Sequence, residues 1–382
     1  AKIHDKENSL LEPIFEKYQL SFLKGSLNDL AKKGRLLRYW EILRWPKKDI
    51  SSEVSIKFIN GYVPVYGDDD LNDDRILWGK KSEKKKLEEI DQIQIGDPKT
   101  FAHISSKALN PIDEKGRYCG LDALGILKAD VDNLGLIMGW GLKGDRFTLS
   151  RLATLSRQLD LFFSCFLPDL IASKSEFQNI YTVFAGGDDL FLIGPWNHIM
   201  ELAPLINERF TEYVCNNPNI HLSAGIVLSK SHVPVDTISN LVEETLEKSK
   251  KDNKNQLTVF SETVSWKYLS KLHEIKESLN KWLNKGWVTK SFLYKLNNLN
   301  EMASYEKRII KKHKITVDDL SCFKWRAYLS YLIERNFALK EAKNERSELI
   351  DSTVEIIAGW MSELGGAMKI PLWYILYNIR GG

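Results

Sequence analysis

The chain has 382 residues, a formal net charge of +3, 43% hydrophobic and 27% charged residues. That is an ordinary globular balance, long enough for two or three domains and a sizeable core. No apolar run approaches the roughly 18 to 20 residues of a membrane span. The opening AKIHDKENSLLEPIF lacks the apolar core of a signal peptide. The four cysteines (Cys119, Cys165, Cys215 and Cys322) are not at metal-finger spacing, which predicts buried reduced thiols in a cytoplasmic protein with no membrane partner.

Residues 1–117 are irregular and are expected to be a linker region or the end of a preceding domain. LLEPIFEKYQLSFLKGSLNDLAKKGRLLRYWEIL predicts one or two helices, and VSIKFINGYVPVY alternates like a strand. GDDDLNDDR and KKSEKKKLEE are charge blocks. The acidic one lacks the Gly and terminal Glu of an EF-hand loop, so a solvated loop is expected.

Residues 118–262 have a sharper pattern. LGILKADV is a continuous apolar strand that ends in acid, and DNLGLIMGWG opens a helix or turn with Asp132 as an N-cap candidate. FTLSRLATLSRQLDLFFSCFLPDLI has helical spacing. IYTVFA and LFLIG are strands around GGDD. HIMELAPLINERFTEYVC is a helix, IHLSAGIVLSK a strand, DTISNLVEETLEKSKKD a helix and NQLTVF a last strand. The order predicts an α+β fold, an antiparallel-leaning palm or ferredoxin-like sheet backed by helices.

From Val264 every segment reads as helix, giving an all-helical C-terminal domain over 263–382. Trp266, Tyr268, Trp282, Trp287, Phe292, Tyr294, Trp325, Tyr328 and Tyr331 recur at core spacing and are expected to fill a bundle. This region carries about seven more basic than acidic residues, including YEKRIIKKHK. That suggests either a phosphate-facing surface or a solvated helix face.

The chemistry concentrates at YTVFAGGDDLFLIG. Gly186 and Gly187 allow a tight turn and close approach of a ligand. Asp188 and Asp189 repel each other unless something positive sits between them. In a palm the strand ending in Asp130 lies beside this hairpin, so Asp130 and Asp188 are expected to converge. Such hard oxygen donors suit Mg2+ or Mn2+. The Val131 carbonyl is a further ligand candidate, and the amides from Asn133 to Gly135 are candidates to meet phosphate. Lys250 ends the third helix, within reach of a triphosphate or as plain surface. Ser156 is either a base-edge contact or a neutral helix residue.

KADVDNLG, SRQLDLFF, FAGGDDLFLIG, LSAGIVLSK and the lysine-rich helix, in this order, resemble the second palm domain of the large subunit of type III CRISPR effector complexes, most closely the III-A (Csm) type. PKTFAHISSKAL and KWRAYLSYLIERN extend the resemblance over roughly residues 96–382. It implies metal-dependent joining of ATP, the substrate, into cyclic oligoadenylates through 3′–5′ bonds, between two palms and under the control of target RNA. It places Asp130, Val131, Asp188 and Asp189 at the metal, and Gly186, Gly187, Asn133, Ser156 and Lys250 at the nucleotide. It implies guide RNA, target RNA, small helical subunits and backbone subunits as partners, and single-stranded DNA through a nuclease domain not found in this stretch. The family's HD nuclease, first palm and zinc-linker cysteines have no counterpart in this sequence, which is expected of either the C-terminal part of a longer subunit, the favoured reading, or a minimal variant without the nuclease.

Two other readings stand beside this one. The first is a catalytically silent palm scaffold whose helical tail docks small subunits and RNA. The second is a diguanylate cyclase-like enzyme, against which Leu190 replaces the Phe of GGDEF and FQNIYTVFA lacks an upstream Arg-x-x-Asp motif.

Overall fold

The computed structural model describes residues 12–14, 18–20, 32, 61–78, 93–112, 117–142, 144–251, 253–310, 316, 318–336 and 343–381. Residues 1–57 form one unit and 58–382 another. In the first, β1 (Glu12–Ile14) pairs antiparallel with β2 (Tyr18–Leu20). Helix was expected there, but Pro13 has no amide hydrogen to give to a helix interior. Lys32 within that predicted stretch is helical; its other residues lie outside the described residues, as do residues 54–60 of the predicted strand and the lysine block. Within 61–66, Val65 makes an isolated bridge to Pro98.

The acidic run is not a solvated loop. It forms a short helix, α1 (Asp68–Leu71), followed by a 3-10 turn. Asp70 is buried, 2.8 Å from the Lys99 ammonium and 2.6 Å from that of Lys107. Asp73 pairs with Arg75 at 2.6 Å and with Lys107 at 2.5 Å. Lys107 follows α2 (Phe101–Ser106), whose N-cap Thr100 accepts from the His103 amide. The lysines that neutralise the run are thus supplied from about thirty residues downstream.

A two-residue ladder, β3 (Asn110–Pro111) with β4 (Tyr118–Cys119), leads into the palm. Its first strand is β5 (Leu124–Val131), followed by α3 (Leu134–Trp140) and α4 (Leu149–Leu161). A π-helical turn at 162–166 continues into α5 (Leu167–Ser173). Then come the hairpin β6 (Tyr181–Gly186) and β7 (Asp189–Pro195), α6 (Trp196–Tyr213), β8 (Leu222–Ser229), α7 (Val235–Lys250), β9 (Gln256–Val259) and β10 (Glu262–Ser265). The strand order is β10-β9-β8-β5-β7-β6. Strands β8-β5-β7-β6 are antiparallel throughout, the ferredoxin-like arrangement expected from the order of elements. Helix α7 then crosses over to place β9 parallel to β8. Strand β10 was not foreseen, and it carries the sheet past residue 263. Its turn uses Phe260 and Ser261, both with positive φ, where a glycine or asparagine would have signalled a hairpin.

One face of the sheet buries Leu127, Ala129, Val131, Leu190 and Leu192 with Phe162, Phe163, Ile206 and Phe210. The opposite face sets Ile126 and Ile193 with Ile238 and Val242 of α7. A Cβ at Gly225 would lie 2.6 Å from the Leu246 amide nitrogen, so glycine lets α7 lie directly on β8.

Beyond β10, a 3-10 turn leads to α8 (Leu269–Asn284), α9 (Lys290–Ile310), α10 (Trp325–Asn336), α11 (Lys343–Leu364) and α12 (Lys369–Asn378). Phe292, Leu296, Trp325, Leu329, Met361 and Leu372 are buried together. Trp282 and Trp287 pack at its edge. Tyr294, Tyr328 and Tyr331 are 52%, 49% and 57% exposed, so the aromatic stripe is only partly core. Helix α12 packs back on the palm, with Tyr374 5.3 Å from the buried Trp196 ring. The basic run ends α9, and its residues 311–314 lie outside the described residues.

The cysteines are free but not uniformly buried: Cys322 is buried, Cys119 and Cys165 are intermediate, and Cys215 is exposed. Among the described residues no helix is long and apolar enough to cross a membrane.

Candidate nucleotide and metal site

The site lies at the end of the sheet where β5 stops, the β6–β7 hairpin turns and β8 begins. Gly186 and Asp189 are partners across the hairpin, leaving Gly187 and Asp188 as a two-residue turn. Gly187 has φ +65, a conformation that glycine adopts without strain. Because the turn uses up Asp188, the carboxylate in register with Asp130 is that of Asp189 rather than Asp188. Register partners present their side chains on one face of the sheet. Asp188 contributes its carbonyl, which accepts from the Val131 amide at 3.2 Å.

Asp130 is on the face covered by α7, and the last residue of that helix, Lys250, puts its ammonium 2.6 Å from Asp130 Oδ2. Burial pushes the Asp130 carboxyl up. Lys250 opposes this, Asp189 and then Asp188 add to it, and the net shift is upward. Lys250 thus pairs with Asp130, while the charges of Asp189 and Asp188 act against that carboxylate.

Asn133 does not cap α3 with its side chain. It takes the left-handed conformation at φ 59, and its Oδ1 accepts from Lys254 Nζ at 2.7 Å. Asp132, the expected cap, is turned inward. It accepts from Ser223 Oγ at 2.8 Å and from the Asn255 amide at 2.9 Å, and it lies 2.6 Å from His221 Nδ1. Ser156 is exposed on α4 and makes none of these hydrogen bonds. Four residues on, Asp160 shares its helix face, and Asp160 Oδ1 accepts from the Gly187 amide at 3.1 Å. Asp160 was missed in the sequence, although it is the acid within SRQLDLFF; nothing local shows that it reaches the turn.

The donor chemistry of this end suits a hard divalent cation. Asp130 and Asp189 share one face and Asp188 stands in the adjoining turn; burial raises Asp130 first and their charges add to it, and a cation would offset both. Among the described residues no three carboxylate, histidine or cysteine groups are drawn into a cage. Lys250 holds Asp130 instead.

Residues 123–258 match the family model described as the second palm domain of Cas10/Cmr2. The likeness narrows to the Cas10/Csm1 protein of subtype III-A. The chain is 42% identical over 169 residues to the Methanocaldococcus jannaschii protein named as a CRISPR system single-strand-specific deoxyribonuclease Cas10/Csm1. It is 30% identical over 258 residues to the Enterococcus italicus protein of the same name. These alignments take in 38% and 63% of the chain, but only 21% and 32% of the relatives. Among solved structures, an apo Csm1–Csm4 cassette is 22% identical with a TM-score of 0.49, covering 70% of this chain and 39% of that one.

Proposed function

We propose that this chain carries a nucleotide-joining palm face of a type III CRISPR effector complex, which makes cyclic oligoadenylates from ATP when guide RNA pairs with target RNA. The observation that carries this reading is the register of Asp130 with Asp189 at the glycine turn of a Cas10/Cmr2-type palm. Asp130, Asp188 and Asp189, with the Val131 carbonyl, would hold Mg2+ or Mn2+, which when bound supplies Lewis acidity toward a 3′-hydroxyl and charge neutralisation at a triphosphate.

The chain's own residues do the rest. Lys250, once released from Asp130, is a point charge for phosphate. Gly186 and Gly187 leave the turn open to a nucleotide, Ser156 meets a base edge, and Asn133 lies where α3 begins. No histidine stands among these residues as a general base, so positioning supplies most of the acceleration. Residues 118–262 serve as the palm, and residues 263–382 as a helical domain that docks the small and backbone subunits.

The Lys250–Asp130 pair favours a second reading, a silent palm whose acids are neutralised internally. One experiment separates the two. The assembled complex is incubated with labelled ATP or GTP and Mg2+, with and without target RNA, and the products are resolved by chromatography. RNA-dependent cyclic oligoadenylate is expected. No product from a complex that still binds target RNA selects the scaffold, and product from GTP alone selects a diguanylate-type enzyme.

A further inference from the structure

Asp132 lies two residues after Asp130, and acids at that spacing invite reading both as cation ligands. The surroundings of Asp132 argue otherwise. Its side chain is 0% exposed. Ser223 Oγ lies 2.8 Å from each of its oxygens. The Asn255 amide donates to Oδ2 at 2.9 Å, and His221 Nδ1 is 2.6 Å from the same oxygen. A carboxylate has about four lone-pair sites; three of these contacts fall on Oδ2, and Oδ1 is held by Ser223 alone. Its own amide donates to the His221 carbonyl at 2.9 Å, so backbone and side chain are tied to the same strand start.

The three anchors come from different places. His221 precedes β8, Ser223 lies within it, and Asn255 ends the loop before β9. That loop holds Lys254 and Asn255 at φ 51 and 52. Two consecutive non-glycine residues in the left-handed region persist only where neighbours hold them there. The observed restraints are the Asn255 amide on Asp132 and the Lys254 ammonium on Asn133. Asn133 is itself left-handed at φ 59.

We infer that Asp132 is a positioning residue: through Asn255 and Ser223 it holds the backbone from Val131 to Asn133 and the Lys254 loop in one arrangement at the nucleotide end of the sheet. What is positioned rests on the proposed ATP-joining reading; that Asp132 is a buried hub and not a ligand does not.

The test uses the assembled complex with Asp132→Asn, which keeps the shape but sets an amide donor among donors. Four quantities are read: Mn2+ half-saturation by electron spin resonance, hydrogen exchange at the Asn255 amide, the ATP KM and kcat. The expected results are Mn2+ half-saturation within twofold of wild type, Asn255 exchange at least tenfold faster with Val259 unchanged, and an ATP KM raised about tenfold. A merely structural role would reduce the active fraction, lowering kcat while KM stays. A rise in Mn2+ half-saturation as large as that of Asp130→Asn would make Asp132 a ligand and overturn the inference, as would unchanged Asn255 exchange. If Asp132→Asn does not assemble, Ser223→Ala removes one donor and is expected to speed Asn255 exchange by a smaller factor; no change there also overturns the inference. If the wild-type complex makes no product, the ATP-joining reading fails, and the Mn2+ and exchange measurements still decide the role of Asp132.

Discussion

Two runs of aspartates in this chain have opposite fates. In the run at 67–75, Asp70 and Asp73 are met by Lys99, Lys107 and Arg75, and the cluster is sunk into the protein. At the palm's end, the Lys250 ammonium pairs with Asp130, Asp189 and Asp188 add their charges there, and Lys254 is spent on Asn133. A carboxylate cluster matched by cations is a structural clasp. One that is short of cations has spare attraction for a charge from outside. The difference is in the supply of cations, and the aspartates themselves look alike.

The largest effects should separate the two clusters by kind. Asp188→Ala with Asp189→Ala should reduce ATP joining by the assembled complex more than about 100-fold while leaving its melting temperature within a few degrees, since repulsion is removed along with the site. Asp70→Ala should do the reverse. It leaves Lys99 without a carboxylate beneath the surface and Lys107 with Asp73 alone, at a cost of about 3–5 kcal/mol, with turnover per folded molecule unchanged. Calorimetry and turnover on the same samples check both, and a catalytic loss in Asp70→Ala that outruns its unfolding would break the distinction.

Gly225→Ala sharpens it from the side of the helix. Pushing α7 off β8 should cost about 1–3 kcal/mol and withdraw Lys250 from Asp130, seen as a raised ATP KM. An unchanged KM would detach Lys250 from the site.

The pH dependence should have opposite signs. Burial pushes Asp73 up, but hydrogen bonds from Arg75 and Lys107 overcome it and leave the group low. Asp70 is likewise lowered, its burial outweighed by the Gly67 amide, Lys107 and Lys99. These two contribute stability that is present above the ordinary carboxylate range and lost as pH falls through their folded values. Asp130 is raised, chiefly by burial, so its contribution is present at low pH and is lost as pH rises through its folded value. Carboxyl titration by NMR should find Asp130 above and Asp73 below the ordinary range, with Mg2+ and ATP lowering only Asp130. The smallest contrast lies in the helical region. Tyr331→Ala should change stability by no more than about 0.5 kcal/mol, against about 3–5 for Trp325→Ala.

Much of the palm was legible because its signals are local. Apolar runs of strand length, helices of period 3.6 and a glycine-bearing turn fall in ferredoxin-like order, and Lys250 could be placed at a helix end by counting. What was not legible depends on distant partners. Asp132 looks like an N-cap until His221, Ser223 and Asn255 arrive from about 90 to 120 residues away. The acidic loop looks solvated until Lys99 and Lys107 reach it. Choosing between Asp188 and Asp189 required the turn length, which alternation alone does not supply. Tyr328 and Tyr331 have the spacing of core residues, but the bundle turns that part of α10 to solvent. Strand β10 was hidden by a turn without glycine.

The central claim is that the cluster short of cations takes a divalent one. Mn2+ binding to the assembled complex with ATP, followed by electron spin resonance, tests it most directly. The account predicts a bound population weakened at least tenfold by Asp130→Asn and by Asp189→Asn, and untouched by Asp70→Asn. Equal Mn2+ affinity in wild type and in both palm variants would contradict it.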